Sequence, residues 1–187
     1  MILFVNGCVR SNSRTLELAK AVLGELSGEV REVRLYPDGP DGLDVEKLAL
    51  RDALLADKAY DHPMFSWANQ FAQADTIVLA APYWDLLFPA KVRAYLEAVT
   101  VSGITFGYGE DGIPRGLCKA KKLIYVTTAG GPIYWHLGFE YVQKLAQTFY
   151  GIPEVLQIKA DGLDILGADV TAILEEAKAQ IPAKRNK

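Results

Sequence analysis

The chain has 187 residues, half of them apolar and 23% charged, with a net charge of −3 at pH 7. That length favours one domain over 1–187 with a real core, and the slightly acidic balance excludes the strongly basic face that gives nucleic-acid binders most of their affinity. Two cysteines outside any CxxC spacing exclude a zinc or iron–sulfur motif and a disulfide framework, and no run is long enough to span a bilayer.

In chain order, the first element is the fully apolar run Ile2 to Val5, the pattern of a strand buried on both faces. The opening MILFVNG has no basic segment before a long apolar one, so a soluble cytoplasmic protein is expected, with no membrane partner. From Thr15 onward, Leu16, Ala19, Leu23 and Leu26 recur at helical spacing. Val33 and Leu35 alternate with charged neighbours, which puts the second strand near an edge. A Pro/Asp/Gly turn cluster over 37–42 leads to a polar helical region, roughly Val45 to Lys58. Thr76 to Ala81 reads as a central strand stopped by Pro82, and Pro89 to Val99 as a helix. Gly103 to Gly116 holds five glycines and reads as a long loop or hairpin excursion. Lys122 to Thr128 is another central strand, broken by Gly130, Gly131 and Pro132. A helix over Gly138 to Tyr150, a strand over Val155 to Ile158 and a helix over Ala168 to Gln180 close the pattern. The short basic clusters Lys119 to Lys122 and Lys184 to Lys187 read as a solvated turn and a polar tail.

This alternation predicts an α/β three-layer sandwich: five parallel strands in the order 2-1-3-4-5, with helices on both faces. Ligands of such folds lie beyond the carboxyl ends of the strands, beside the switch point between the first and third. Three loops fall there. The first, Asn6 to Thr15, gathers Ser11, Ser13, Arg14 and Thr15 where a helix begins. Unpaired helix N–H groups, hydroxyls and a guanidinium suit a phosphate monoester; an ordinary Ser/Asn helix cap with solvated arginines accounts for the same residues. The second loop, Ala81 to Pro89, carries Tyr83 and Trp84, which fit either a flat aromatic ligand or core packing beneath the loop. In the third, Thr127 to Pro132, paired glycines let N–H groups approach a ligand or simply make a tight turn.

At these residues the chain resembles the flavodoxin-like NAD(P)H dehydrogenases, the group of quinone reductases and FMN-dependent azoreductases. The likeness is clearest from Asp75 to Gly131, with the Ala-Pro-aromatic loop at Pro82, the Gly-x-Thr-Phe excursion at Gly103 to Phe106, and the Gly130-Gly131 turn. It extends through Gly138 to Asp161 and weakens over Asp38 to Pro63. The resemblance implies a flavodoxin-like fold, bound FMN, and NADH or NADPH as donor. It implies hydride transfer through flavin N5 to a quinone, azo or similar aromatic acceptor. It carries phosphate binding to Ser11, Ser13, Arg14 and Thr15. It lays the isoalloxazine against Pro82, Tyr83, Trp84, Asp85 and Leu86, and against Thr128, Ala129, Gly130 and Gly131. Azoreductases often have Met-Tyr-Asn-Phe where this chain has Tyr83 to Leu86, so Asp85 departs from the pattern. Phe106 and Tyr108 are expected to shape the acceptor pocket, Tyr134 and His136 are candidates for proton movement, and a homodimer is expected.

Rival readings remain at this point. Cys8 to Arg14, followed by Thr15, also fits C-x5-R-[ST], the phosphate loop of low-molecular-weight phosphatases, in which the thiolate attacks phosphorus. No late Asp-Pro acid element accompanies it. An electron carrier of the flavodoxin type and a flavin-fold redox sensor are two further rivals.

Overall fold

In the computed structural model, which describes residues 1–181, strands β1 (Ile2–Asn6) and β3 (Thr76–Ala80) form the centre of the sheet, in parallel register from Ile2 opposite Thr76 to Asn6 opposite Ala80. The Lys184 to Lys187 tail lies outside the described residues. With β2 (Val30–Arg34), β6 (Lys122–Thr128) and β7 (Glu154–Ala160) the sheet runs β2-β1-β3-β6-β7, the expected 2-1-3-4-5 order of its five strands. β1 is buried along its whole length, whereas β2 buries only Val33, as an edge strand does.

Each face of the sheet has its own core. Helices α1 (Arg14–Gly24) and α6 (Val170–Ala179) cover one face, where Ile2, Phe4, Val78, Ile124 and Ile158 pack against Leu18, Val22 and Leu174. On the other, Leu3, Val5, Ile77, Leu79 and Tyr125 meet residues of α3 (Ser66–Gln73), α4 (Ala90–Val99) and α5 (Leu137–Leu145). Alternate residues of one strand thus feed two cores, the reason central strands read as continuous apolar runs. Helix α2 (Val45–Ala56) buries no residue, in keeping with its polar reading.

Three local readings change. The buried face of α1 is Thr15, Leu18, Ala19 and Val22; Leu16, Leu23 and Leu26 flank it, half-buried. The helix is turned so that Thr15 faces the sheet. Helix α3 was not legible in the sequence, because its eight residues are half polar; Ala68, Phe71 and Ala72 supply its buried stripe. The last turn of the predicted 138–150 helix is wider, a π-helical turn over Ala146–Tyr150 ended by Gly151 at φ 70°.

The excursion at 103–116 is a small antiparallel hairpin, β4 (Phe106–Tyr108) with β5 (Pro114–Gly116). It joins the end of α4 to the start of β6, so it lies at the amino ends of the strands. Phe106 packs edge-on against Phe149 at 4.9 Å and against Tyr108 at 5.4 Å. Within one chain, neither Phe106 nor Tyr108 lines the cavity at the carboxyl ends, where the ligand crevice of such a fold lies.

Candidate active site

Beyond the carboxyl ends of β1, β3 and β6 lies a cavity of about 380 Å³. Its walls are the three loops expected, joined by a fourth after β7.

The first loop turns at Asn6, whose Oδ1 accepts from the Cys8 amide at 3.0 Å, and enters α1 at Ser13. Ser13 is the N-cap: its Oγ accepts from the Leu16 amide at 3.3 Å. Capping and anion binding are compatible here, because a hydroxyl that accepts one hydrogen bond still has its own proton to donate. The first-turn amides of Arg14 and Thr15 have no acceptor among the described residues and sit at the positive end of the helix dipole. Thr15, buried by the rotation of α1, shares a 2.7 Å hydrogen bond with the Thr128 hydroxyl and so ties the first loop to the third. Val9, Arg10 and Asn12 also line the cavity; Ser11 does not.

The second loop is held by the Tyr83 amide donating to the Thr128 carbonyl at 3.0 Å, and the Tyr83 hydroxyl donates to the Trp135 carbonyl at 3.2 Å. Pro82, Tyr83 and Trp84 face the cavity. Asp85 and Leu86 do not: they are the centre of a tight turn closed by the Leu87 amide on the Trp84 carbonyl, with φ of 50° and 69°. Left-handed backbone at leucine costs about 1–2 kcal/mol. The turn holds Trp84 half-exposed at the rim of the cavity.

In the third loop Thr128, Ala129 and Gly130 line the cavity, while Gly131 stands outside its lining. The loop is anchored from below by Asp161, whose carboxylate accepts from the Ile133 amide at 2.8 Å and pairs with Lys159 at 3.1 Å. Burial raises the Asp161 pKa, but the Ile133 amide and Lys159 together outweigh it and hold the carboxyl below its ordinary value. Tyr134 is exposed beside this loop. His136 lies outside the cavity lining, in a small recess with Tyr83, Tyr125, Thr127 and Gln157. Its Nδ1 and the Thr127 hydroxyl are buried without a partner among the described residues.

The fourth wall, Leu163 and Asp164, was missed in the sequence. Backbone bonds from Gly162, Leu163 and Asp164 to the carbonyls of Gly131, Ala129 and Gly130 lay this loop along the third. Asp164 then meets Arg14: one guanidinium nitrogen donates to its carboxylate at 2.7 Å and to the Leu163 carbonyl at 3.3 Å. An acidic residue in a loop after the last strand carries no local signal for that meeting.

Cys8 is buried in the core beneath α1, outside the cavity lining. Burial pushes its thiol up to about 11, only partly opposed by a hydrogen bond with Ser13. That is the opposite of what a nucleophilic thiolate needs. No cluster of three or more His, Cys, Asp or Glu able to hold a metal occurs among the described residues.

The geometry has close relatives in fold. A family model described as flavodoxin-like fold matches residues 1–184, which defines the class of this protein. The FMN-dependent NADH:quinone oxidoreductase 2 of Clostridium acetobutylicum is 34% identical over 183 residues, covering 90% of this chain and 90% of that protein. The FMN-dependent NADH:quinone oxidoreductase of Coprothermobacter proteolyticus is 32% identical over 189 residues, with 94% and 93% covered. An azoreductase structure from Bacillus anthracis superposes with a TM-score of 0.83 at 22% identity, over 100% of this chain and 99% of its own, a likeness of fold. The chain belongs to the flavodoxin-like family of oxidoreductases.

Proposed function

We propose that this chain is an FMN-dependent NAD(P)H oxidoreductase that reduces a quinone, azo or similar aromatic compound in the cytoplasm. The observation that carries the reading is the cavity itself: an anion-binding end, made of free helix amides, hydroxyls and a guanidinium, continuous with a wall of Tyr83 and Trp84. A phosphomonoester joined to a flat ring needs both ends, and neither a helix cap nor core packing needs them together. The names of the relatives that cover nine-tenths of the chain supply FMN and NADH as the matching ligands.

Bound FMN would supply a two-electron carrier between the nicotinamide nucleotide and the acceptor. The chain's part is binding and shielding. The amides of Arg14 and Thr15, the Ser13 hydroxyl and the Arg14 guanidinium hold the phosphate; an anion at a helix N-terminus gains about 0.3–1 kcal/mol, up to about 2 when partly buried. Ser11, Asp85, Leu86 and Gly131 have no place in the lining and are not assigned contacts. Tyr83 and Trp84 would cover the ring and keep water from it, with the Ala129–Gly130 backbone on the facing loop of the same cavity. His136, in the recess it shares with Tyr83 and with a ring nitrogen unpartnered among the described residues, is the candidate for holding a proton; Tyr134, exposed, is the weaker one.

The test is the visible absorbance of the purified protein, before and after NADH is added without air. Flavin bands that bleach are expected. A protein that neither carries nor binds FMN and does not consume NADH overturns the proposal. A His136→Asn protein with an unchanged rate of acceptor reduction across pH removes His136 from it.

A further inference from the structure

The first and last βα loops of the sheet meet over the cavity through the Arg14–Asp164 pair, 150 residues apart in sequence. Both residues line the cavity, so the pair stands at the anion-binding end and not on an unrelated surface. Among the described residues, one guanidinium nitrogen of Arg14 is engaged, by Asp164 at 2.7 Å and the Leu163 carbonyl at 3.3 Å.

The neighbouring backbone gives the carboxylate its place. A Cβ on Gly130 would run into the Asp164 carboxylate, so a residue without a side chain lies beneath it. The loop that carries Asp164 is flanked by Gly162 at φ 77° and Gly167 at φ 84°, conformations that favour glycine. Its tip, Ile165 and Leu166, is exposed.

We infer that Asp164 is a specificity-determining residue, an internal counter-anion that competes with the ligand's phosphate for Arg14. The inference rests on the reading of this cavity as a phosphomonoester site. A carboxylate already paired with Arg14 neutralises part of its charge and occupies a nitrogen that a second anion would otherwise take. The alternative role, holding Arg14 in position, is weak by comparison. The side chains of Arg14 and Asp164 are 39% and 69% exposed, and pairs that open to solvent fix a long side chain only loosely. Competition for the guanidinium therefore outweighs positioning. Asp164 keeps the cofactor exchangeable and lowers the preference for a phosphorylated over an unphosphorylated flavin.

The experiment compares the unmodified chain with Asp164→Asn by titrating FMN and riboflavin, read as quenching of flavin fluorescence. FMN is expected to bind Asp164→Asn roughly two- to fivefold more tightly, from the loss of an exposed ion pair that competes for Arg14. Riboflavin, which has no phosphate, is expected to bind both alike. In an Arg14→Gln background most of the gain disappears. Equal or weaker FMN binding by Asp164→Asn overturns the inference in favour of a positioning role or none. A gain that persists undiminished in the Arg14→Gln background overturns it too, because Asp164 then acts without Arg14. Should no flavin bind either protein, the flavin reading fails on its own. Inorganic phosphate then decides, followed by NMR at the Thr15 amide: tighter phosphate binding by Asp164→Asn sustains the inference, and equal or absent binding ends it.

Discussion

Single residues in this protein are often explained by where their polar atom points. Thr15 is 1% exposed, yet its hydroxyl is satisfied by Thr128, and that bond registers α1 against β6. The two thiols are buried with weaker partners, Cys118 donating to the Thr105 carbonyl at 3.6 Å and Cys8 bonded to Ser13. Burial pushes Cys8 up to about 11 and Cys118 up to about 12, both from an ordinary 9.0. The native state therefore prefers the neutral thiols. Their contribution to stability is complete below pH 9.0 and is lost as the pH climbs towards the folded values. Two outcomes follow: a thiol-specific reagent such as Ellman's labels neither cysteine at neutral pH until urea is added, and the urea midpoint falls from pH 9 upward. A fast-reacting Cys8 in the native protein at neutral pH would restore the phosphatase reading of Cys8 to Arg14.

At the scale of elements, the connections at the two ends of the sheet do different work. Those at the carboxyl ends build the cavity. Those at the amino ends lock the helices, and the β4–β5 hairpin belongs to them. Its Gly116 lies against the backbone of Tyr150 and Gly151, where an added Cβ has no room. Backbone cannot yield as a side chain end can, so Gly116→Ala is expected to cost about 2–3 kcal/mol in urea unfolding, the range of overpacked sites. A loss below about 0.5 kcal/mol, ordinary for a surface change, would show that the hairpin does not pack there.

Over the whole molecule, apolar side chains are exposed on the connections at the carboxyl ends of the strands: Trp84 and Leu86 in the second loop, Trp135 just after the third, Ile165 and Leu166 in the fourth. A group of this kind on one side marks a surface that binds something. The homodimer that the family resemblance implies would cover it. Light scattering is expected to give twice the 20.5 kDa chain mass. A monomer at micromolar concentration would leave the rim to the acceptor alone. No helix among the described residues is long and apolar enough to cross a membrane.

The sequence by itself determined the layers, the strand order and three walls of the cavity. Those follow from local regularities: an apolar run for each buried strand, a helical stripe between runs, and a rule that sends right-handed crossovers to fixed sheet positions. The tertiary structure alone decided what meets across loops. Periodicity cannot report the rotation of α1 that buries Thr15, because Leu16 and Leu23 make an equally apolar stripe. It cannot report α3, too short and polar to announce itself, or the end of the sheet on which Phe106 and Tyr108 lie. Asp164 was invisible for the same reason: an acidic residue in a turn is ordinary until backbone bonds to 129–131 carry it to Arg14. Burial patterns are written along one element at a time, whereas a site is written between elements.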